Sequence, residues 1–158
     1  MQTIAIVDYG MGNLRSVAKA FAHVAPDQRV MITNNAEEIA AADRVVLPGQ
    51  AAMPESMAAL NASGLRDVLW TASKDRPFFG VCLGLQMLFE TTEEGDVPAL
   101  GYLPGRSVRF PRQHRDHDGS ALKVPHMGWN QVSFPAHARM HPCWAGVADG
   151  SAFYFAHS

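Results

Sequence analysis

The sequence predicts an α/β fold, an open and mostly parallel sheet with helices on both faces, followed by a β-rich second half. Short apolar runs of strand length alternate with segments of helical periodicity through residue 91. The runs are continuously apolar, as in strands that are buried on both faces. Consecutive parallel strands need crossover connections, which the intervening helices supply. After residue 95, short strand-like segments rich in glycine and proline replace the helices.

In the first half of the chain, the sequence predicts four strands and five helices. The strands are apolar runs that end at a turn or a glycine: residues 3–8, 29–32, 44–47 and 78–81. The first helix begins at Leu14 and is closed by Pro26. Asn35 and Glu38 have the spacing of a capping box, which starts a second helix through about residue 42. Further helices are predicted at residues 54–60, 65–73 and 83–91.

The second half predicts short strands at residues 107–110, 122–124, 130–134 and 151–156. Between them, residues 112–120 form a polar loop that contains His114 and His117. No other cluster of ligands supports a metal site there, so a solvated loop is favoured and no metal is expected. Nothing resembles an internal repeat or a linker, so a single domain over residues 1–158 is predicted.

Composition excludes several classes of function. The 158 residues include 13 basic and 15 acidic side chains, a formal charge of −2, which does not favour a nucleic-acid partner. No apolar run approaches the roughly 20 residues that span a bilayer, and no signal peptide precedes the first strand. The two cysteines, Cys82 and Cys143, lack metal-site spacing. The sequence therefore predicts a reduced, cytoplasmic protein without a membrane segment.

The sequence GVCLG at residues 80–84 lies between a predicted strand and a predicted helix, as a nucleophile elbow does. Gly80 and Gly84 would leave room for a strained turn at Cys82. The following helix N-terminus is expected to stabilise a thiolate, and the Leu83 amide to donate to an oxyanion, with a second donor from the loop at Gly49. The alternative is an inert, buried cysteine.

Geometry alone leaves one general base among the seven histidines, His157, which follows a predicted strand. Open parallel sheets bind their ligands beyond the carboxyl ends of the strands. Tyr9 and Gly10 follow the first strand and are therefore also positions where site residues are expected. No carboxylate follows His157 in this sequence to orient its ring.

Three stretches resemble class I glutamine amidotransferases and, among them, the glutaminase subunits of imidazole glycerol phosphate synthases. They are VDYGMGNLRSV at residues 7–17, FGVCLGLQML at 79–88 and KVPHMGWN at 123–130. The second stretch is shared by many glutamine amidotransferases, whereas the first and third are similar to this subunit family in particular. The resemblance covers the whole chain and implies a flavodoxin-like fold. It implies no cofactor.

The resemblance also implies roles for individual residues. Cys82 would form a glutamyl thioester, and the Gly49 and Leu83 amides would form the oxyanion hole. Gln86 would hold the glutamine substrate. His157 and Ser158 would bind the amino-acid group of the substrate, which replaces the interpretation of His157 as the base.

This chain departs from the family pattern at two places. The family's base and its carboxylate lie in a His-x-Glu motif, which does not follow His157 here, so a missing C-terminal segment and an inactive 158-residue chain are expected. The oxyanion loop usually has the sequence Pro-Gly-x-Gly, and this chain has alanine at the last position, Ala51. A Cβ there restricts the backbone flip that could aim an amide at the oxyanion.

The family forms a heterodimer with a cyclase subunit of TIM-barrel fold, which uses the ammonia in histidine biosynthesis. Residues 125–130 combine proline, glycine and tryptophan, which favours a shaped loop over a strand. Trp129 is either a core residue or an interface anchor. The residues expected at the interface are His126, Met127, Gly128, Trp129 and Asn130. The alternatives are another class I glutaminase, of pyridoxal phosphate or nucleotide biosynthesis, and a non-catalytic binding fragment.

Overall fold

The computed structural model describes residues 1–111, 113, 115 and 119–158. Within these residues the chain forms two compact units, Met1–Val108 and Arg109–Ser158. The first unit contains a four-stranded sheet and five helices, and the second contains a two-stranded hairpin. No helix in these ranges has the length and apolar character that a membrane crossing requires.

The first unit alternates strands and helices as predicted. Its elements are β1 (Thr3–Val7), α1 (Leu14–Val24), β2 (Arg29–Thr33), α2 (Ala36–Ala41), β3 (Arg44–Gly49), α3 (Met53–Ser63), α4 (Arg66–Asp75), β4 (Phe78–Cys82), α5 (Leu83–Gln86), β5 (Thr91–Thr92) and β6 (Arg106–Ser107). The main sheet has the order β2-β1-β3-β4, and every neighbouring pair is parallel. The carboxyl ends of β1, β3 and β4 therefore lie along one edge of the sheet.

Side chains of the central strands alternate between two apolar layers. On one face, Ile4, Ile6 and Val46 pack against apolar residues of α1. On the other face, Val45 and Leu47 pack against apolar residues of α3 and α4. Successive side chains of a strand point to opposite faces, so this alternation places helices on both sides of the sheet. The predicted α/β class is confirmed.

The start of α2 differs from the predicted capping box. Asn35 caps the helix, because its side-chain oxygen accepts a hydrogen bond from the Glu37 amide at 2.8 Å. Glu38 instead accepts a hydrogen bond from the Thr33 hydroxyl. The Thr33 oxygen in turn accepts from the Asn35 amide at 3.0 Å. Thr33 therefore takes the place that Glu38 would have in a capping box.

The helix predicted at residues 83–91 is wrong in length, since α5 ends at Gln86. The backbone carbonyls that would continue the helix accept hydrogen bonds from another segment. The Met87 carbonyl accepts from the Leu100 amide, and the Leu88 carbonyl from the Tyr102 amide, both at 2.8 Å. Residues 99–103 thus capture these carbonyls before the helix can propagate.

The second unit is built on an antiparallel pair, β7 (His126–Gln131) and β8 (Ala152–His157), with a short 3-10 turn at Pro142–Trp144. The interpretation of residues 125–130 as a loop is wrong, because most of that segment lies in β7 with its backbone paired to β8. The strand predicted at 130–134 begins earlier and ends at Gln131. The strand predicted at 151–156 is present, shifted by one residue.

Two other short strands were placed incorrectly. Residues 122–124 form no strand, and the strand predicted at 107–110 is reduced to β6, which pairs with β5 in the first unit. Such segments have no periodicity of their own, so their conformation depends on which backbone groups they meet.

Candidate active site

Cys82 lies at the junction of β4 and α5, in a backbone conformation that non-glycine residues rarely adopt. Its φ is 55° and its ψ is −122°. Its side chain is exposed, so the alternative interpretation of Cys82 as a buried cysteine is wrong. A strained turn between a strand and a helix presents a nucleophile to a substrate in this way. The local geometry is therefore that of a nucleophile elbow.

Glycines provide the space that this turn requires. A Cβ on Gly80 would lie 2.6 Å from the Leu85 Cα, and a Cβ on Gly84 would lie 2.0 Å from the Leu47 carbonyl oxygen. Both distances are far below van der Waals contact, and the atoms concerned belong to the backbone. The elbow is therefore packed so closely on β3 and on its own helix that neither position has room for a side chain.

Gly49 places the end of β3 against the same turn. It pairs with Cys82 across the parallel strands β3 and β4. A Cβ at Gly49 would lie 2.2 Å from the Gly84 nitrogen and 2.8 Å from the Leu83 Cβ. The structure therefore brings together Cys82 and the two residues whose amides were predicted to form an oxyanion hole.

Residues 48–51, which comprise the last two residues of β3 and the start of the loop after it, are held by two buried hydroxyls. The Tyr9 hydroxyl donates a hydrogen bond to the Pro48 carbonyl at 3.0 Å. The Ser56 hydroxyl donates to the Gln50 carbonyl at 2.9 Å. Ala51 follows with φ 71°, in the left-handed region that favours glycine. Neither Tyr9 nor Ser56 was assigned a role from sequence, although Tyr9 follows β1 at the sheet edge where site residues are expected.

Burial changes the acidity of Tyr9. Its side chain is 5% exposed, and this burial raises the pKa of the Tyr9 phenol, while the neighbouring Ser56 hydroxyl acts in the opposite direction. A raised pKa keeps the phenol protonated, so it remains a hydrogen-bond donor throughout the neutral range.

Gln86, predicted to hold the substrate, is half-buried at the end of α5. Its side-chain oxygen lies 3.5 Å from the Ser107 hydroxyl, which is long for a hydrogen bond. The Gln86 amide is thus only weakly held by the protein. Such a side chain can exchange its partner for a ligand at small cost.

The α5 helix is shorter than predicted, and its action on a Cys82 thiolate remains a prediction. A macrodipole sums over aligned peptide units, and α5 has four residues where nine were expected. Any contribution of α5 to negative charge at Cys82 therefore comes from the amides of its single turn and not from a long macrodipole.

His157 and Ser158 belong to the second unit, at the end of β8. The His157 Nε2 lies 2.8 Å from the His126 Nδ1 on the paired strand β7. One ring nitrogen donates and the other accepts in this contact, and the tautomers decide which is which. His157 also packs against the Phe155 ring, with centroids 5.0 Å apart.

One face of the β7–β8 hairpin carries exposed apolar side chains. Trp129 is 72% exposed, and Met127 is 66% exposed. The Trp129 ring lies edge-on to Tyr154, its cross-strand neighbour, with centroids 5.7 Å apart. Trp129 is therefore not a core residue of the part of the chain that the structure describes, and its contact with a partner remains a prediction.

Cys143 is exposed as Cys82 is, but it lacks the positive φ of Cys82. It is exposed within the 3-10 turn Pro142–Trp144, and its amide donates a hydrogen bond to the His141 Nδ1 at 3.2 Å. No close glycine packing surrounds it. Cys143 is consequently a natural control for experiments on Cys82.

The part of the chain that the structure describes contains no cluster of three or more metal-ligating side chains. His114 and His117 of the predicted polar loop lie outside the described residues.

Comparisons with known proteins agree with the geometry. The family model described as glutamine amidotransferase class-I matches residues 5–153. A protein of Aromatoleum aromaticum named imidazole glycerol phosphate synthase subunit HisH is 57% identical over 159 aligned residues, which cover 100% of this chain and 74% of that protein. The proteins of the same name from Dechloromonas aromatica and Thiobacillus denitrificans are 55% and 53% identical. Those alignments cover 99% and 98% of this chain, and 72% and 67% of the respective relatives.

Proposed function

Since the chain belongs to the class I glutamine amidotransferase family, we propose that it is the glutaminase subunit of an imidazole glycerol phosphate synthase. The Cys82 thiolate attacks the side-chain carboxamide carbon of glutamine, and the C–N bond breaks as the nitrogen leaves as ammonia after gaining a proton. Water then hydrolyses the glutamyl thioester to glutamate and restores the thiol. The two free cysteines fit a reducing compartment, so we place the protein in the cytoplasm.

The observation that carries this proposal is the positive φ of Cys82, together with the close packing of Gly49, Gly80 and Gly84 against the turn. Negative charge develops on the carbonyl oxygen of the substrate during attack. Backbone amides of Gly49 and Leu83 supply the oxyanion hole for it, and Gln86 binds the glutamine. The test is ammonia release from glutamine by the full-length protein, with and without Cys82.

The ammonia passes to a cyclase subunit of TIM-barrel fold, which contacts the segment His126–Asn130 in a heterodimer. The word "subunit" in the names of the relatives supports a complex. The exposed Trp129 and Met127 support the position of the contact, because large exposed apolar side chains are typical of interface centres.

Trp129→Ala is expected to weaken the complex about tenfold or more, because a buried aromatic anchor contributes about 2 kcal/mol. The isolated subunit should keep its unfolding midpoint, since Trp129 is 72% exposed and its removal leaves no cavity. Titration calorimetry with the cyclase and thermal unfolding of the lone subunit measure the two quantities. A wild-type affinity, or a large fall in the midpoint, would contradict the interface role.

A polypeptide restricted to residues 1–158 is expected to release ammonia at less than about a hundredth of the full-length rate. Residues 1–158 contain no His-x-Glu pair, and a thiol nucleophile needs a base and an orienting carboxylate. Steady-state ammonia release by both polypeptides measures the ratio. Comparable rates would instead assign the base to a residue of this chain, with His157 as the first candidate.

A further inference from the structure

We propose that Tyr9 and Ser56 are positioning residues that fix the backbone direction of residues 48–51, the oxyanion loop. The inference rests on the proposed function, because it concerns how the loop presents its amides to the reacting carbonyl. Neither side chain touches the substrate. Each acts through a carbonyl of the loop.

Tyr9 holds the first peptide of the loop. It follows β1 at the carboxyl edge of the sheet, where the Asp8 carboxylate accepts a hydrogen bond from the Gly10 amide at 3.0 Å and fixes the turn. From this turn the Tyr9 ring enters the core, and its hydroxyl reaches the Pro48 carbonyl. The Met87 sulfur, 3.6 Å from the same hydroxyl, is a much weaker alternative acceptor.

Ser56 holds the third peptide of the loop. It lies in the first half of α3 and is fully buried, with 0% of its surface exposed. Its hydroxyl donates to the Gln50 carbonyl six residues earlier, a contact that the fold of the loop onto α3 creates. The Ser56 hydroxyl is fully buried, so the bond resists separation because breaking it would cost this hydroxyl its carbonyl acceptor.

The planarity of the peptide bond converts these two contacts into control of amide direction. In a trans peptide the carbonyl and the N–H of one unit point in opposite directions. Holding the Pro48 carbonyl therefore fixes the direction of the Gly49 N–H, and holding the Gln50 carbonyl fixes that of the Ala51 N–H. The two hydrogen bonds also lie on either side of the peptide that joins Gly49 to Gln50, so they limit the rotation of that peptide.

Ala51 shows that the loop is under constraint. At φ 71° an alanine is disfavoured relative to glycine, so surrounding contacts must hold it there. The Ser56 bond acts on the peptide immediately before Ala51. Loss of that bond would let Ala51 relax toward an ordinary backbone conformation, which would change the direction of the amides that the proposed function assigns to the oxyanion hole.

The experiment compares Tyr9→Phe and Ser56→Ala with the wild-type full-length protein. Each variant removes one hydroxyl and keeps the remaining side chain, and the use of two variants protects against a folding failure of one. We expect each to lower the kcat of glutamine hydrolysis about tenfold while KM changes less than about twofold. Removal of a direct oxyanion donor costs 100-fold or more, and an indirect effect should be smaller.

Alkylation of Cys82 by iodoacetamide, measured in a Cys143→Ala background, separates positioning from general damage. This displacement forms no oxyanion, so its rate should stay at the wild-type value in both variants. Parallel loss of alkylation and hydrolysis would overturn the inference in favour of a distorted elbow.

Matched controls exist in the same unit. Tyr102→Phe removes a phenol that donates to the Arg66 carbonyl at 3.3 Å, and Ser63→Ala removes a hydroxyl that donates to the Leu60 carbonyl at 2.7 Å. Neither bond involves the oxyanion loop, so kcat should be unchanged. Equal losses in the controls would overturn the positioning role.

The outcomes also separate this inference from the proposed function. Wild-type kcat in Tyr9→Phe and Ser56→Ala, with activity lost in Cys82→Ala, would overturn the positioning role and leave the function standing. Activity retained in Cys82→Ala would overturn the proposed function and, with it, the positioning role of Tyr9 and Ser56.

Discussion

Cys82→Ala is expected to reduce glutamine hydrolysis by the full-length protein at least about a thousandfold, because no other group at the elbow can form the covalent intermediate. Cys82→Ser should lose nearly as much. A serine hydroxyl retains its proton near neutral pH, where a cysteine supplies a thiolate. Ammonia release under saturating glutamine measures the effect, and thermal unfolding checks that each variant is folded.

Cys143→Ala is the control for this result. Cys143 is exposed, as Cys82 is, but it lies in a 3-10 turn with ordinary packing. Its removal should leave the rate within about twofold of the wild type, since surface substitutions away from special features are usually near neutral. Equal losses at the two cysteines would indicate structural damage, and activity retained without Cys82 would remove that residue from the mechanism.

Gly84→Ala is expected to destabilise the first unit by about 3 kcal/mol or more, at the upper end of overpacking effects. The new Cβ would lie 2.0 Å from the Leu47 carbonyl oxygen and 2.9 Å from the Leu47 carbonyl carbon. Both atoms belong to the backbone of β3, so relief requires the elbow to move away from the sheet. Because Gly84 also lies against the first residues of the oxyanion loop, Pro48 and Gly49, the variant should lose activity even where it remains folded.

Gly128→Ala provides the comparison for Gly84→Ala. Gly128 lies in β7, and a Cβ there would meet no atom within 4 Å. Its free energy of unfolding should change by less than about 1 kcal/mol. Denaturant unfolding measures both variants. A Gly84→Ala protein as stable as the wild type would show that the elbow is packed more loosely than the structure indicates.

The sequence predicts the main sheet well because that signal is local. The apolar runs within residues 3–8 and 44–47 form the two central strands, β1 and β3, and a run that is buried on both faces has few other places in a fold. The signal for the elbow is also local, because the spacing of Gly80, Cys82 and Gly84 indicates which positions of one turn have no room for a side chain. The positive φ of Cys82 follows from that spacing.

Other features depend on residues far apart in sequence and could not be predicted from a local pattern. The length of α5 is decided by amides of residues 99–103, which take the carbonyls after Gln86. The strand at His126–Gln131 forms because it pairs with β8. Its own glycine and tryptophan, with the proline just before it, favour a loop. Tyr9 and Ser56 reach the oxyanion loop only after β1, β3 and α3 have packed together.

The central claim is that Cys82 is the nucleophile of glutamine hydrolysis. The most direct measurement treats the full-length protein with a glutamine-like electrophile, quantifies the modified Cys82 and Cys143 peptides by mass spectrometry, and records the residual ammonia release of the same samples. We expect activity to fall in proportion to the modification of Cys82, and excess glutamine to protect that residue. Full modification of Cys82 with undiminished ammonia release would contradict the claim.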